Sequence, residues 1–217
     1  MSDSRWERWA PVAGIVFVVL FVAGTSLNNL PATDEHTTAI ANYYNDKGNR
    51  AQIIIGSYLL VLAGVFFFWF LASLRVKLLA AEGAPGRLTS IVFGSGLVFA
   101  ALLMAAAGAL MTVAADVTFG GDEFIDADSA RFLPQLAYPL LLIGGMFAAI
   151  AMIDAASVLI VKTGVLPRWV GWFGFAVAVV LLFGALFLPI VALLLWVFFV
   201  SVALLRAPAK EVARPAA

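Results

Sequence analysis

The sequence contains no cysteine and only one histidine among its 217 residues. The absence of cysteine excludes disulfides, thiolate nucleophiles and thiolate metal sites. Charged residues are also scarce, at 12% of the chain, whereas soluble domains carry roughly a quarter. The formal net charge is zero, which argues against a nucleic-acid partner, because phosphate binding needs a basic surface.

Recognisable enzyme motifs are missing as well: the sequence has no HExxH, no Walker A loop and no GxSxG. An acidic loop with Asp122, Glu123, Asp126 and Asp128 offers oxygen ligands, but it lacks the glycine and the terminal glutamate of a calcium loop. We interpret it as a solvated loop. The sequence therefore predicts no catalytic site, no cofactor site and no metal site.

Apolar residues, in contrast, make up 64% of the chain, and the mean hydropathy is +1.04. Six apolar stretches are long enough to cross a hydrocarbon core of roughly 30 Å, because a helix rises about 1.5 Å per residue. The sequence predicts an all-α polytopic membrane bundle in which residues 1–217 form a single membrane domain. The six spans are predicted near residues 10–27, 51–74, 88–115, 135–161, 169–187 and 190–206, with a short outer-loop helix near 34–47.

The last two spans are separated only by Leu188 and Pro189, so one continuous helix over 169–206 is the alternative. Such a helix would be about 57 Å long, nearly twice the thickness of the core. Proline also interrupts a helix interior, which favours a hairpin at Pro189.

The basic residues predict the orientation, because lysine and arginine near span ends are retained in the cytoplasm. Six spans place ten of the 13 basic residues on one side and three on the other, beside eight acids. Both termini are therefore predicted to be cytoplasmic. The ten basic residues are Arg5, Arg8, Arg75, Lys77, Arg87, Lys162, Arg168, Arg206, Lys210 and Arg214. The outer side holds Lys47, Arg50, Arg131, Asp34, Glu35, Asp46, Asp116, Asp122, Glu123, Asp126 and Asp128.

The first span has a second interpretation as a cleaved signal peptide ending near residues 30–32. Its apolar run is longer than the usual signal core of about 7 to 15 residues. Tryptophans at positions 6 and 9 suit a permanent interface anchor. We therefore interpret this stretch as a membrane span.

Asp154 is the one ionisable residue predicted to lie within a span, roughly 12 Å from the cytoplasmic end of span four. Such residues are costly in a membrane and are functional candidates by default. Asp154, Ser95 and Ser157 form the predicted intramembrane polar site. One hypothesis is a protonatable carboxylate or cation site; the other is a structural carboxylate bonded to either serine or reached by Arg75 or Lys77.

Small residues are frequent in spans three and four, at the small-xxx-small spacing that allows helix backbones to approach closely. They predict packing of these two spans, with an oligomer contact or a narrow pore as the alternatives. The predicted packing residues are Gly94, Gly96, Ala100, Gly144, Gly145, Ala148 and Ala149.

Several short segments carry a resemblance to a known group of proteins. They are residues 5–8, the outer segment 40–44, the inner loop 81–87 and the segment 166–172, which reads LPRWVGW. The chain resembles small multi-pass inner-membrane proteins of high-GC bacteria that are grouped as a domain of unknown function. The resemblance implies the architecture and the bacterial inner membrane, and it implies no activity.

The sequence thus leads to two functional hypotheses. The first is a non-enzymatic accessory or scaffold subunit that acts through lateral helix contacts, with the lipid bilayer and a membrane protein or a second copy as its partners. The second is a small carrier or lipid-handling protein with a cavity near Asp154.

Overall fold

The computed structural model of the protein describes residues 11–30, 36–120, 127–183 and 188–206. All regular elements within these residues are helical, as predicted. The α-helices are α1 Val12–Leu27, α2 Thr37–Asn45, α3 Lys47–Glu82, α4 Arg87–Ala115, α5 Ala127–Phe132, α6 Met146–Thr163, α7 Arg168–Leu181 and α8 Leu188–Arg206.

Within the described residues, four helical segments are long and apolar enough to cross a membrane. They are Lys47–Glu82, Arg87–Gly120, Ala130–Thr163 and Pro189–Arg206. The other two apolar helices, α1 and α7, have 16 and 14 residues and are therefore about 24 and 21 Å long. The prediction of an all-helical protein is therefore confirmed for the described residues, and so is the presence of helices long enough to cross a membrane.

The six apolar helices form a ring. Going round it, α1 packs on α3, α3 on α4, α4 on α6, α6 on α7, α7 on α8, and α8 returns to α1. Helix α3 also contacts α6 across the ring, so the centre of the bundle is filled. The loops that join α3 to α4 and α6 to α7 are only a few residues long, which makes each of these pairs antiparallel.

Aromatic side chains fill the core between α1, α3 and α4. The Phe67 ring lies 5.0 Å from both the Phe17 ring and the Phe99 ring, measured between centroids, and 5.6 Å from Phe70. All four side chains are fully buried. Tilted aromatic pairs at these distances stabilise a core beyond the effect of burial alone.

The last two predicted spans are separate helices that pack against each other, so the structure excludes a continuous helix over 169–206. Helix α7 ends at Leu181, earlier than the predicted 187, and α8 already begins at Leu188. Pro189 is therefore in the first turn of α8 and not in the connection. Proline is tolerated there because the first N–H groups of a helix have no partner within the helix. Residues 184–187 lie outside the described part.

Helix α2, which was predicted as an outer-loop helix near 34–47, is shorter than predicted and packs on the start of α3 and the end of α4. Ile40 and Tyr44 are buried there with Ile53 and Val113. Arg50 of α3 binds the end of α2, because its Nη1 donates to the Tyr44 and Asn45 carbonyls at 2.6 and 3.0 Å. Burial, and secondarily the neighbouring Tyr43, raise the pKa of Tyr44 to about 12.

The structure also contains two π-helical stretches, Asp116–Gly120 and Pro139–Gly145. The second contains Gly144 and Gly145, two of the predicted packing residues. Pro139 lacks an N–H group and the two glycines lack side chains, so the regular hydrogen-bond ladder is weak here. The helix widens at this point but continues into α6.

Several charged residues of the orientation argument lie outside the described residues. They are Arg5, Arg8, Asp34, Glu35, Asp122, Glu123, Asp126, Lys210 and Arg214.

The junction of α3 and α4 is closed by the Glu82 carboxylate. Its Oε2 accepts hydrogen bonds from the Thr89 hydroxyl at 2.6 Å and the Thr89 N–H at 2.9 Å, and its Oε1 accepts one from the Leu88 N–H at 2.8 Å. Gly86, which precedes α4, has no side chain to cap it and takes a φ of 64°. The previous helix therefore supplies the cap for the first turn of α4.

We expect the contribution of Glu82 to stability to depend on pH. The predicted apolar span 51–74 of α3 ends eight residues before Glu82, so Glu82, the last residue of the helix, lies about 12 Å beyond it, past the basic Arg75 and Lys77. The hydrogen bond from the Thr89 hydroxyl is the main cause that lowers the pKa of Glu82. A lowered folded-state pKa stabilises the fold above the unfolded value of about 4.3, and this stabilisation is lost as the pH falls through the folded value.

The measurement is thermal unfolding of the wild type and of Glu82→Gln in mild detergent. At pH 7 we expect the variant to unfold at a lower temperature, because an amide replaces a charged acceptor. Below about pH 4 the difference should shrink, because Glu82 itself becomes protonated. An equal difference at both pH values would contradict the capping role of the carboxylate.

Candidate functional site

Asp154 lies on the outward face of α6, the face that does not pack on the rest of the bundle. Phe147, Ala151, Asp154 and Val158 follow one another at spacings of four, three and four residues, which places them on one face of a helix. Phe147 is 60% exposed and Ala151 is exposed, while Asp154 and Val158 are half-buried. An acidic side chain therefore lies within an apolar outward surface.

The opposite face of α6 is buried against two neighbouring helices. Met152 packs towards α4, where its sulphur is 3.1 Å from the position that a Cβ on Gly96 would occupy. Ile153 faces α7, with Cγ2 3.3 Å from the corresponding position on Gly174. Each residue turns the helix by about 100°, so Asp154 points about 160° away from Met152 and about 100° away from Ile153.

The predicted polar partners of Asp154 do not reach it. Within the described residues, its carboxylate makes no hydrogen bond with Ser95 or Ser157 and no ion pair with Arg75 or Lys77. The structure therefore does not join the three predicted polar residues into one hydrogen-bonded site. The outward position of Asp154 is the physical reason, because Ser157 lies on the buried side of α6.

Ser157 instead belongs to a meeting point of α6, α7 and α8 that the sequence did not reveal. The Ser157 hydroxyl and the Trp196 indole N–H are both buried, and neither has a hydrogen-bond partner in the described part of the chain. Both lie against Gly174, where a Cβ would collide with Ser157 Oγ and stand 2.7 Å from Trp196 Nε1. The sequence feature that could have indicated this meeting point is the glycine pair Gly171 and Gly174, which lie on one face of α7.

The predicted small residues of spans three and four lie mostly between the helices that carry them. Ala100 and Ala149 are fully buried, and a Cβ on Gly144 would lie 3.0 Å from Leu102 of α4. Gly145 and Ala148 are buried at the same boundary, and Gly96 contacts α3 and α6.

Gly94 differs from the other predicted packing residues. It is exposed, and a Cβ added to it would meet nothing within 4 Å. The reason is geometric, because residues two apart in a helix point about 200° apart. Gly94 and Gly96 therefore cannot both face the same neighbour.

In the described part of the chain, no group of three or more histidine, aspartate or glutamate side chains is placed to hold a metal ion. Asp154 has no acid, base or nucleophile bonded to it within those residues. No family model, no curated protein and no solved structure matches the chain. Its function is therefore inferred from its own residues and contacts.

Proposed function

We propose that this protein is an accessory or scaffold subunit of a membrane assembly and that it acts through lateral helix contacts made by the outward face of α6. In this proposal the chain crosses the inner membrane of a bacterium six times, with both termini in the cytoplasm. It belongs with the small multi-pass proteins of high-GC bacteria that its sequence resembles.

The six-span arrangement is supported by the ring of helices. The two shorter helices, α1 and α7, pack beside the four long ones and take full places in the ring. Tilt of long helices and local thinning of the bilayer accommodate spans of unequal length. Six crossings also collect ten of the 13 basic residues on one side, in agreement with the retention of positive charge in the cytoplasm.

The observation that carries the lateral-contact function is the outward position of Asp154. Insertion scales assign a cost of about 2.5 to 3.5 kcal/mol to an aspartate at the centre of a membrane helix. A hydroxyl, amide or basic side chain on a partner helix would offset that cost by pairing with the carboxylate. Within the described residues the chain itself offers no such partner.

A carrier or lipid-handling protein with a cavity near Asp154 is the second candidate. The observation in its favour is the π-helical stretch Pro139–Gly145 directly before α6, because π-helical turns are frequent at functional sites. An interior cavity would need Asp154 to face α4, whereas Met152 occupies that side of α6. The outward carboxylate therefore supports the lateral contact better.

The test is extraction of the full chain from native membranes in a gentle detergent, followed by measurement of the mass of the complex. We expect a homo-oligomer or a stoichiometric complex with another membrane protein. A protomer without a stable partner, under conditions that preserve its helical content, would contradict the proposal.

A further inference from the structure

A groove lies between the α6–α7 loop and the end of α8. It has a volume of about 650 Å³, within the usual range of roughly 300 to 1,000 Å³ for ligand sites. Val165, Leu166 and Trp169 line one wall, while Phe198, Val202 and Arg206 line the other. The groove is thus apolar along its length and cationic at one end.

The aromatic side chains of the groove are placed as at a membrane interface. Trp169 is 54% exposed and its ring packs edge-on against Phe199, with the centroids 5.4 Å apart. Tryptophan is enriched at the level of lipid headgroups, because its ring is amphipathic. The apolar walls continue from Trp169 towards the bundle through Phe198.

The charged residues on the two segments that form the groove are all basic. Lys162 and Arg168 flank the loop that forms the first wall, and Arg206 ends α8 at the second. The sequence contains no acidic residue between Asp154 and Glu211. Arg206 is exposed and forms no ion pair within the described residues, so an external anion can reach its guanidinium.

We propose that this groove binds one anionic glycerophospholipid, with an acyl chain along the apolar walls and the phosphate on Arg206. Guanidinium groups bind phosphate through paired hydrogen bonds, and basic pockets between membrane helices hold anionic headgroups. A zwitterionic lipid fits the apolar walls equally well but brings its own cation to the basic end. The charge therefore selects an anionic lipid.

The test is native mass spectrometry of the full-length protein, titrated in detergent with phosphatidylglycerol and with phosphatidylcholine of the same chains. We expect the wild type to bind phosphatidylglycerol about fivefold more tightly. Arg206→Gln should remove this preference. Arg87→Gln, a change at another basic residue that does not line the groove, should keep it.

A second variant tests the apolar walls while keeping the charge. Val202→Trp fills the groove, and we expect it to weaken the binding of both lipids. Equal affinity of the wild type for the two lipids, an unchanged preference in Arg206→Gln, or unchanged binding in Val202→Trp would each overturn the proposal. Displacement of bound lipid by inorganic phosphate alone would also overturn it, because the acyl chain would then add nothing. The result of this test does not depend on whether α6 has a lateral partner.

Discussion

Replacing Gly56 with alanine is expected to lower the free energy of unfolding by about 1 to 3 kcal/mol, the usual cost of forcing extra atoms into a packed core. Gly56 of α3 and Gly24 of α1 face each other where the backbones of these helices come into contact. A Cβ on Gly56 would lie 2.8 Å from the Gly24 carbonyl oxygen, and one on Gly24 would lie 2.8 Å from the Gly56 oxygen. Backbone atoms cannot rotate away, so the two helices must separate.

The polar contacts around this crossing make separation more costly. The Asn28 amide donates to the Gly24 carbonyl at 2.8 Å, and its nitrogen is 2.6 Å from the position of a Cβ on Gly56. The Ser57 hydroxyl donates weakly to Asn28 Oδ1 at 3.4 Å. A Cβ on Gly56 would push the Asn28 amide off the Gly24 carbonyl, and moving α1 away from α3 would break the hydrogen bond from Ser57.

Gly94→Ala is the matched control, because it is also a glycine-to-alanine change within a long helix. Gly94 is exposed and a Cβ there meets nothing. The gain in helix propensity, up to about 1 kcal/mol, should make this variant neutral or slightly stabilised. Thermal unfolding in mild detergent, followed by circular dichroism, compares the two. Equal midpoints would contradict the close packing of α1 on α3.

Asp154→Leu is expected to weaken the lateral complex without lowering the stability of the protomer. Removing an acid from the outward face of α6 should make the insertion of this helix more favourable by about 3 kcal/mol. The isolated protomer should therefore unfold at an unchanged or higher temperature. The lateral complex should weaken by about tenfold, because a polar contact between membrane helices contributes roughly 1 to 2 kcal/mol.

The measurement combines thermal unfolding with the complex mass from light scattering in the same detergent. Val158→Leu, one turn further along the same face, is the control, since it changes the apolar shape without removing a carboxylate. A less stable Asp154→Leu protomer would contradict the outward position of the acid. It would point to a buried structural or ligand-binding role instead.

The sequence predicted the helical architecture well because span length and apolar composition depend on local residues alone. It also predicted that Asp154 lies well inside a helix, and the structure places this residue in the middle of α6. It could not show which way Asp154 faces. That direction depends on which side of α6 meets α4 and α7, a property of the assembled ring.

The same limit explains the helix contacts that sequence patterns missed. Small-xxx-small spacing marks residues on one helix, but the Gly24–Gly56 contact pairs single glycines on two different helices. The contact of Ser157, Trp196 and Gly174 joins three helices over a sequence separation of about forty residues. Local spacing contains no information on such pairings. The end of a single helix was predicted more closely: α7 ends one to two turns before the predicted residue.

Site-specific photo-cross-linking from position 151 tests the lateral-contact function most directly. A photoreactive phenylalanine analogue replaces Ala151, which is exposed one turn before Asp154, and in a parallel sample it replaces Val98, which is 51% exposed on α4. In native membranes we predict one discrete adduct from position 151, none from position 98, and loss of the adduct when Asp154→Asn is added. No adduct from position 151, or the same adducts from both positions, would contradict a specific partner on the outward face of α6.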